Sequence, residues 1–345
     1  MLQLLLGGSG SGKTTLLYQR IRARAEKGEK SILLVPEQFT SSTEGRIYRE
    51  LGDALSGMVE SFSFTSLAEK ILSTEGGAAV QTLSDAGRAV LVRRALEELQ
   101  DNVHYYHRHR RSAAFCQMAA QTIDELKSAG LSGQQLAQLA GACGAESGKL
   151  SELALIFQGY ETLLARSGMD PSDRLELAGD RLEEALARHS LPEFLRDRAV
   201  FIDEFDTFNA PKKRLLGAML AALPSVTVAL CDDGAPLLPG DLSLFSGAKQ
   251  VAAQLRQLAR KNGAEVAVPQ LLRKDLRHRN APGLAAVAEL LETGSYTADA
   301  PAGEVRLFAA PSREEEARAA AGAIRRLMRQ GVRCGKIAVV CRDIA

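Results

Sequence analysis

Short runs of apolar residues, each closed by glycine, proline or acidic residues, recur in the first and the later part of the chain. They are "LQLLLG" from Leu2, "SILLVP" from Ser31, "AVFIDEF" from Ala199 and "VTVALCDD" from Val226. Continuous apolar runs of this length are typical of strands that are buried on both faces of a parallel sheet. The segment "TTLLYQRIRARAEKG" has helical spacing and ends at Gly28, so the chain opens with a strand, a helix and a strand. The pattern predicts an α/β fold with a parallel sheet.

The strand pattern disappears between residues 76 and 198, where apolar residues recur every three or four positions. One series runs from Phe115 to Leu126, and another runs from Leu153 to Leu164. This spacing predicts helices that bury one face each. Because the apolar run from Ala199 resumes the sheet, we interpret the helices as an all-α insertion within one α/β domain.

The last part of the chain, "GEVRLFAAPSREEEARAAAGAIRRLMRQGVRCGKIAVVCRD", has the pattern of a strand, a helix and a second strand. A domain that stops at its second strand has not buried its core, so we expect the chain to be the N-terminal part of a longer protein. We therefore predict four regions: the first part of a P-loop sheet domain (1–75), a helical insertion (76–198), the second part of the sheet domain (199–300) and the start of a second α/β domain (301–345).

The composition is that of a packed globular protein, with 46% hydrophobic and 25% charged residues. The formal net charge of +1 means that any nucleic-acid surface has to be a local patch. The five cysteines are odd in number and form no C-x-x-C pair, which favours reduced thiols in a cytoplasmic protein. No apolar run approaches the roughly 18 residues of a membrane span, so we expect no membrane association.

A glycine-rich loop follows the first apolar run and matches the pattern G-x-x-x-x-G-K-S/T in full. Glycines let successive backbone N–H groups curve around phosphate oxygens, and the helix that follows adds the positive end of its dipole. In this interpretation Lys13 reaches the β- and γ-phosphates of ATP, and the Thr14 hydroxyl binds Mg²⁺. A glycine-rich turn with a chance lysine is the alternative, and the strand before and helix after argue against it. The predicted nucleotide-binding residues are Gly7, Gly8, Ser9, Gly10, Ser11, Gly12, Lys13, Thr14 and Thr15.

Two adjacent carboxylates, Asp203 and Glu204, end the strand-like segment "FIDEF". With a phosphate loop upstream, we expect Asp203 to hold Mg²⁺ through water, and Glu204 to orient or deprotonate an attacking water as a catalytic residue. Taken alone, the pair would suit an ordinary solvated turn.

The helical block contains the basic and aromatic segment "HYYHRHRR", His104 to Arg111. Its aromatic rings and cations could stack on and pair with nucleic acid, or the segment could be a solvated turn. A metal site of its three histidines is less favoured, because no carboxylate or cysteine partner is nearby in the chain.

The order of several segments resembles the AddB family, the B subunits of AddAB helicase/nucleases (RexB in some lineages) within the UvrD-like helicase superfamily. The segments are the phosphate loop, "LLVPEQFTSSTEGRIYRELG", "SFSFTSLAEKIL", "SGKLSELALIFQGYETLL", "VFIDEFDTFNAPKKRLL" and "LFSGAKQVAAQLRQLA". The resemblance implies a RecA-like P-loop domain that binds ATP and Mg²⁺ in a heterodimer with an AddA-like motor subunit. It also implies processing of double-stranded DNA ends for recombinational repair, with recognition of Chi in the single strand. The nuclease domain and iron-sulfur cluster of the family are expected only in a C-terminal part, so none of their ligands is assigned here.

Three departures from working UvrD-type helicases indicate a weakened motor. Only six residues precede Gly7, where those enzymes have a glutamine-containing segment that recognises adenine. They read D-E-x-Q-D at the Mg²⁺ strand, whereas this chain has Asp206 where their γ-phosphate-sensing glutamine stands. A carboxylate there would repel the γ-phosphate. The expected G-D-x-x-Q-S-I-Y is also absent after "VTVALCDD".

The function predicted from these residues is a nucleotide-binding, helicase-like subunit that lines part of a DNA channel without being a motor. An active UvrD-type translocase is the alternative, and a small-molecule P-loop kinase is disfavoured because it has no use for so large a helical insertion. Related helicases touch the single strand in two places that match Gln38, Phe39 and Thr40, and Ser61, Phe62, Ser63 and Phe64. The three phenylalanines could equally be core residues.

Overall fold

The structure, a computed structural model, describes residues 1–77, 81–144, 147–295 and 305–341 and contains a parallel β-sheet. In chain order the strands are β1 (Leu2–Gly7), β2 (Ser31–Leu34), β3 (Val59–Phe62), β4 (Ala199–Ile202), β5 (Ser225–Cys231) and β6 (Gln270–Leu272). They lie in the order β3-β2-β4-β5-β1-β6, and every hydrogen-bonded pair is parallel. The predicted α/β class is therefore confirmed, and all four apolar runs that predicted strands belong to this sheet.

Helices make up most of the remaining described chain. In chain order they are α1 (Lys13–Ala25), α2 (Thr40–Leu51), α3 (Asp53–Ser56), α4 (Phe64–Glu75), α5 (Asp85–Glu98), α6 (Ala113–Ser128), α7 (Gly133–Ala140), α8 (Ser147–Ser167), α9 (Pro171–Ala187), α10 (Ala210–Ala222), α11 (Ser246–Lys261), α12 (Pro282–Thr293) and α13 (Arg313–Arg329). Serine side chains cap the N-termini of α4, α5, α6 and α7 by accepting a hydrogen bond from a backbone N–H. Local sequence thus fixes where several of these helices begin.

Side chains of the strands alternate between two cores. Leu4 and Leu6 of β1 pack in the core that also contains residues of α4, α9, α10 and α11, whereas Leu5 packs on the opposite face with residues of α1 and α2. All four residues of β4 are buried. Both faces of the sheet are covered, which is why the strand sequences are continuous apolar runs rather than alternating ones.

The helices between β3 and β4 include a group with a core of its own. This core lies among α5, α6, α7 and α8 and is built on large side chains such as Ile123, Phe157 and Tyr160. It is separate from both cores of the sheet. The helical segment between β3 and β4 needs such a core, because helices without a buried apolar face are only marginally stable.

Helix α9 packs with the sheet, although its sequence lies inside the predicted insertion. Leu175 and Leu182 of α9 belong to the same core as α4 and α10. At the start of α9, Asp170 and Asp173 bind the Lys127 ammonium of α6, with N–O distances of 2.8 Å to each carboxylate. The insertion is thereby anchored to a helix of the sheet layer, and its bounds at 76 and 198 stay a prediction.

The chain divides into two compact units, Met1–Arg277 and His278–Ala345. The predicted boundary at 300/301 lies outside the described residues and stays a prediction. In the second unit the predicted helix forms as α13, but the segments around it form no strand in residues 305–341. Leu307 and Val340 are 100% and 94% exposed. A strand needs a hydrogen-bonded neighbour, and neither segment has one in that range.

Within the described ranges, no helix combines the length and the apolar character that crossing a membrane requires. Even α8, with 21 residues, carries charged side chains such as Lys149 and Glu161 along its length.

Candidate nucleotide-binding site

The glycine-rich loop connects β1 to α1 in a conformation that requires its glycines. Gly10 and Gly12 have φ angles of +80° and +91°, in the left-handed region that side chains rarely adopt. A Cβ atom on Gly7 would lie 2.4 Å from Ser11 Oγ, and one on Gly10 would lie 2.5 Å from Arg277 Cβ. The turn is therefore closed to larger residues at Gly7 and Gly10.

Lys13 extends its ammonium group back across the loop. Its Nζ donates to the carbonyl oxygens of Gly7 and Gly8, at 2.8 and 2.9 Å. Burial lowers the pKa of Lys13, and the nearby Cys231 and Asp203 offset this only in part. The first N–H groups of α1 receive no side-chain cap, so the loop offers both a cation and free helix donors to an anion.

Asp203 stands at the carboxyl end of β4 and contacts the start of α1. The Thr14 side chain lies near its carboxylate and favours the charged form, and only 6% of the residue is exposed. Burial raises the pKa of Asp203, against the hydrogen bonds from Thr14 and the Glu204 backbone. Although β5 separates β1 from β4 in the sheet, the structure brings together the two residues predicted to hold Mg²⁺.

Glu204 and Asp206 lie on the turn that follows. Glu204 is exposed and has a φ angle of +65°, an uncommon conformation that costs about 1 kcal/mol or more. Its N–H donates to Asp203 Oδ1 at 3.0 Å. Partial burial and the Asp203 carboxylate raise the pKa of Glu204, while Arg46 opposes the shift. Strained backbone is typical of functional turns, which favours a role for this carboxylate.

A cavity of about 520 Å³ joins these groups. It is lined by the loop from Ser9 to Thr15 except Ser11, by the turn from Asp203 to Asp206, and by Arg46 and Arg277. Its volume is within the range of about 300 to 1,000 Å³ that is usual for small-molecule sites. The cavity lining thus combines cations, backbone donors and carboxylates.

Arg46 of α2 is a cavity residue that no motif in the sequence indicated. Its guanidinium carbon lies 4.9 Å from the centre of the Tyr18 ring, a cation–π contact. Tyr18 is 5% exposed, and burial raises its pKa to about 12. The position of α2 in the sequence could have indicated Arg46. Helix α2 follows the carboxyl end of β2, at the edge of the sheet where the phosphate loop also lies.

The segment after β6 lies against the phosphate loop. The Leu276 N–H donates to the Gly10 carbonyl at 3.0 Å, and Arg277 Nη1 donates to Ser9 Oγ at 2.9 Å. Sequence alone indicates only a polar loop here. The contact follows from the pairing of β6 with β1, which brings the carboxyl ends of both strands together.

The oxygen ligands at this site suit Mg²⁺ bound together with a nucleotide. Thr14 and Asp203 supply a hydroxyl and a carboxylate, the hard oxygen ligands that Mg²⁺ prefers. Across the described ranges, no group of three or more histidine, cysteine, aspartate or glutamate residues could hold a metal by itself. Mg²⁺ commonly binds through one or two carboxylates plus substrate phosphates, so these residues fit an ion that arrives with ATP.

The first set of predicted DNA contacts lies just after β2. Gln38 is exposed, Phe39 is half-buried against the core beneath α1 and α2, and the Thr40 hydroxyl donates to the Glu37 carbonyl at 2.5 Å. Gln38 is therefore the member of this set whose side chain is open to a ligand. DNA contact by these residues stays a prediction.

The second set lies around the end of β3 and is more buried. Ser63 caps α4 through Ser66, and Phe64 is 2% exposed with its ring centre 5.3 Å from that of Phe205. Phe62 packs against the same core and Ser61 is half-buried. These positions favour the core interpretation for Phe62 and Phe64, since a buried ring cannot stack on a base without moving.

Comparisons with known proteins connect this site to one family. Residues 4–288 match the family model described as "ADDB, N-terminal". Proteins named as the B subunit of an ATP-dependent helicase/deoxyribonuclease, from Desulforudis audaxviator and Symbiobacterium thermophilum, are 34% and 33% identical over 100% and 99% of this chain. One of the same name from Clostridium perfringens is 28% identical over 99% of the chain. The chain spans about 30% of the length of each of these relatives.

The family match also explains the motif order seen in the sequence. The matched residues include the phosphate loop, the helical block and the acidic turn after β4. The resemblance inferred from these segments is confirmed over most of the chain. This chain belongs to the ADDB N-terminal family.

Proposed function

We propose that this chain is the N-terminal, helicase-like region of the B subunit of an ATP-dependent helicase/deoxyribonuclease. In this proposal it binds ATP with Mg²⁺, lines part of a DNA channel and is not itself a motor. The complete protein pairs with an AddA-like subunit in the cytoplasm, processes double-stranded DNA ends for recombinational repair and helps to recognise Chi. Its nuclease domain and iron-sulfur cluster lie outside this chain. The names of the relatives support the assignment to the B subunit of a helicase/deoxyribonuclease.

The observation that carries the proposal is the meeting of Lys13, Thr14 and Asp203 around one cavity. In phosphate-loop ATPases the lysine contacts the β- and γ-phosphates, while the threonine and the aspartate hold Mg²⁺. Bound Mg²⁺ would neutralise charge on the phosphates. Here Lys13 and the loop donors would bind phosphate oxygens, and Thr14 and Asp203 would hold the Mg²⁺.

The sheet order supports a RecA-like domain as its architecture. One strand, β5, lies between the phosphate-loop strand and the strand that carries Asp203. The helical insertion has its own core and interrupts the sheet between β3 and β4, as UvrD-like helicases do.

Asp206 supports the non-motor part of the proposal. It is exposed and lines the cavity together with Lys13 and Glu204. A carboxylate facing the phosphates adds negative charge where a motor needs a donor that senses the γ-phosphate. The alternative remains an active UvrD-type translocase, which the strained, cavity-facing Glu204 would serve as a general base.

ATP with Mg²⁺ is expected to protect Cys231 from alkylation by a maleimide by about tenfold. Cys231 is exposed and lines the cavity, so bound phosphates and Mg²⁺ would restrict access to its thiol. The rates are measured by mass spectrometry of the modified peptides. Cys143 is the internal control, because it is exposed on the helical insertion away from the cavity.

Equal alkylation of Cys231 with and without ATP would contradict the proposed site. A parallel slowing of both cysteines would indicate a non-specific effect of the nucleotide and would count equally against it. ADP and AMP in the same assay report which phosphates are needed for protection.

Asp206→Asn is expected to raise the affinity for ATP about fivefold and to change the affinity for ADP much less. Removing one charge near the γ-phosphate relieves about 1 kcal/mol of repulsion in a solvated site. Calorimetric titrations with ATP and with ADP measure the two affinities. The matched control is Asp101→Asn, at an exposed position of the helical insertion.

If Asp206→Asn leaves the ratio of the ATP affinity to the ADP affinity unchanged, Asp206 does not face the γ-phosphate.

The wild-type chain is further expected to release phosphate from ATP more slowly than about 0.1 s⁻¹ with single-stranded DNA, against about 1 to 1,000 s⁻¹ for typical enzymes. Brisk DNA-stimulated release would favour the translocase.

A further inference from the structure

We propose that the basic loop, His104–Arg111, binds the phosphate backbone of DNA. The basic loop connects α5 to α6 on the helical insertion, away from the nucleotide cavity. The inference rests on the proposed function in one respect, which is that DNA passes this subunit.

A buried carboxylate shapes the basic loop from inside. Glu152 of α8 is 7% exposed, and its two oxygens accept the backbone N–H groups of His104, Tyr105 and Tyr106 at 2.8 to 3.3 Å. Because three successive N–H groups turn inward to one carboxylate, this part of the backbone is pinned in a single tight turn. The pairing also keeps the charge of Glu152 inside the insertion rather than among the arginines.

Aromatic contacts fix the rest of the basic loop. The ring centre of Phe115 lies 5.3 Å from that of Tyr106 and 5.7 Å from that of His109. Val103, just before the loop, is 1% exposed in the core of the insertion. A surface that is already ordered loses less conformational entropy when it binds, so the loop is preorganised for a ligand.

The basic loop concentrates positive charge on this surface. Arg108 and Arg111 are exposed, and Arg110 is half-buried with Nη1 3.5 Å from His107 Nδ1. None of these arginines forms an ion pair with a carboxylate in the described part of the chain. In the sequence no acidic residue occurs between Asp101 and Asp124. Three cations thus remain available, in contrast to Arg93 and Arg94 of α5, which pair with Glu97 and Glu98.

Two helix N-termini strengthen the positive potential at the basic loop. Helix α6 begins at Ala113, two residues after the loop, and α8 begins at Ser147. The ring of Tyr105 lies over the first turn of α8, where a Cβ on Gly148 would be 2.8 Å from ring atom Cε2. The basic loop therefore adjoins the N-terminus of α6 along the chain and, through Tyr105, the first turn of α8, and the N-terminus of a helix is the positive end of its dipole.

Nucleic acid fits this surface better than an acidic peptide does. Arginine binds phosphate oxygens in pairs through its planar guanidinium group, and phosphate contacts supply most of the affinity of non-specific DNA binding. Tyr105 is 57% exposed beside the arginines, so a stacking surface for an unpaired base adjoins the phosphate contacts. The arginines can bind the phosphates of a nucleic acid, and the neighbouring aromatic ring can stack on its bases.

The test is the triple variant Arg108→Ala, Arg110→Ala and Arg111→Ala, made in the complete chain. Binding to labelled single-stranded and duplex DNA of about 20 nucleotides is measured by fluorescence anisotropy between about 50 and 200 mM salt. The control is Arg22→Ala, Lys27→Ala and Lys30→Ala, which also removes three positive charges but from exposed positions at the far end of α1.

The triple variant is expected to bind DNA about tenfold more weakly at about 100 mM salt, with the control close to wild type. The slope of log K against log salt should decrease in magnitude by about 2 to 3, because each lost phosphate contact removes about 0.7 to 0.9. A loss with either DNA form supports the proposal and identifies the form that is bound.

Equal DNA affinity and equal salt slope in the triple variant and the control would overturn the proposal. So would a triple variant that loses affinity for polyglutamate while keeping its affinity for DNA. Binding of ATP with Mg²⁺ is measured on the same samples and is expected to be unchanged. A chain that binds DNA through the basic loop but binds no ATP would contradict the proposed function and leave this inference intact.

Discussion

Lys13→Ala is expected to weaken the binding of ATP with Mg²⁺ by about 100-fold. The Lys13 ammonium already lies on the loop, 2.8 and 2.9 Å from the carbonyl oxygens of Gly7 and Gly8, so it needs little rearrangement to meet phosphate oxygens. A hydrogen bond between charged groups in a partly buried site contributes about 1.5 to 3 kcal/mol, and about 2.7 kcal/mol corresponds to 100-fold. Isothermal titration calorimetry measures the change.

The matched control is Lys27→Ala, an exposed lysine two residues beyond the end of α1. It removes the same charge without touching the cavity, and its ATP affinity should equal that of the wild type. Circular dichroism should show both variants folded, since the carbonyl oxygens that Lys13 releases adjoin a cavity open to water. If Lys13→Ala and Lys27→Ala bind ATP equally well, the loop is a structural turn and not a phosphate site.

Lys127→Met is expected to lower the free energy of unfolding of the unit Met1–Arg277 by about 3 kcal/mol. The variant strips the cation from Asp170, whose side chain is 1% exposed and also accepts a 2.6 Å hydrogen bond from the Tyr160 hydroxyl. Breaking a buried ion pair by removing one partner leaves an uncompensated charge, which costs about 3 to 5 kcal/mol. Because the chain has no tryptophan, urea unfolding is followed by circular dichroism.

The pH dependence of this contribution follows from the pKa of Lys127. Burial alone would lower that pKa, but hydrogen bonds to Asp170 and Asp173 outweigh it and raise the pKa above the ordinary value of 10.5. The folded state therefore binds the proton more tightly than the unfolded state does. The stabilisation is fully present at neutral pH and is lost only as the pH rises through the raised pKa. Between about pH 7 and 9 the destabilisation by Lys127→Met should stay constant.

Asp170→Asn in the Lys127→Met background provides the internal control. Asparagine caps helices as well as aspartate does, and its oxygen can still accept from Tyr160, so removing the stranded charge should restore about 1 to 2 kcal/mol. The double-mutant cycle isolates the pair from other effects of each substitution. A Lys127→Met variant as stable as the exposed-site variant Lys27→Met would show that this ion pair does not hold the insertion to α9.

Most of the geometry of the candidate nucleotide site could be predicted from the sequence, because it depends on residues close together in the chain. The turn around Gly10 and Gly12 needs positive φ angles, and Lys13 and Thr14 are fixed relative to it by the helix that begins there. The partnership with Asp203 could be inferred too, since a carboxylate at the end of a buried parallel strand lies at the edge where such loops lie. By contrast, Arg46 and Arg277 reach the cavity through the packing of α2 and of the segment after β6, which no local pattern specifies.

The sequence by itself determined the parallel α/β sheet, the helical block and the phosphate loop, because each depends on residues close together in the chain. Tertiary structure alone decided three further matters: α9 packs with the sheet through Leu175 and Leu182, Phe64 lies in the core, and Glu152 shapes the basic loop. The physical reason is the same in each case. The burial and pairing of a side chain depend on which distant segments of the chain meet. For α9, helical periodicity predicts an apolar face but not the element that packs against it.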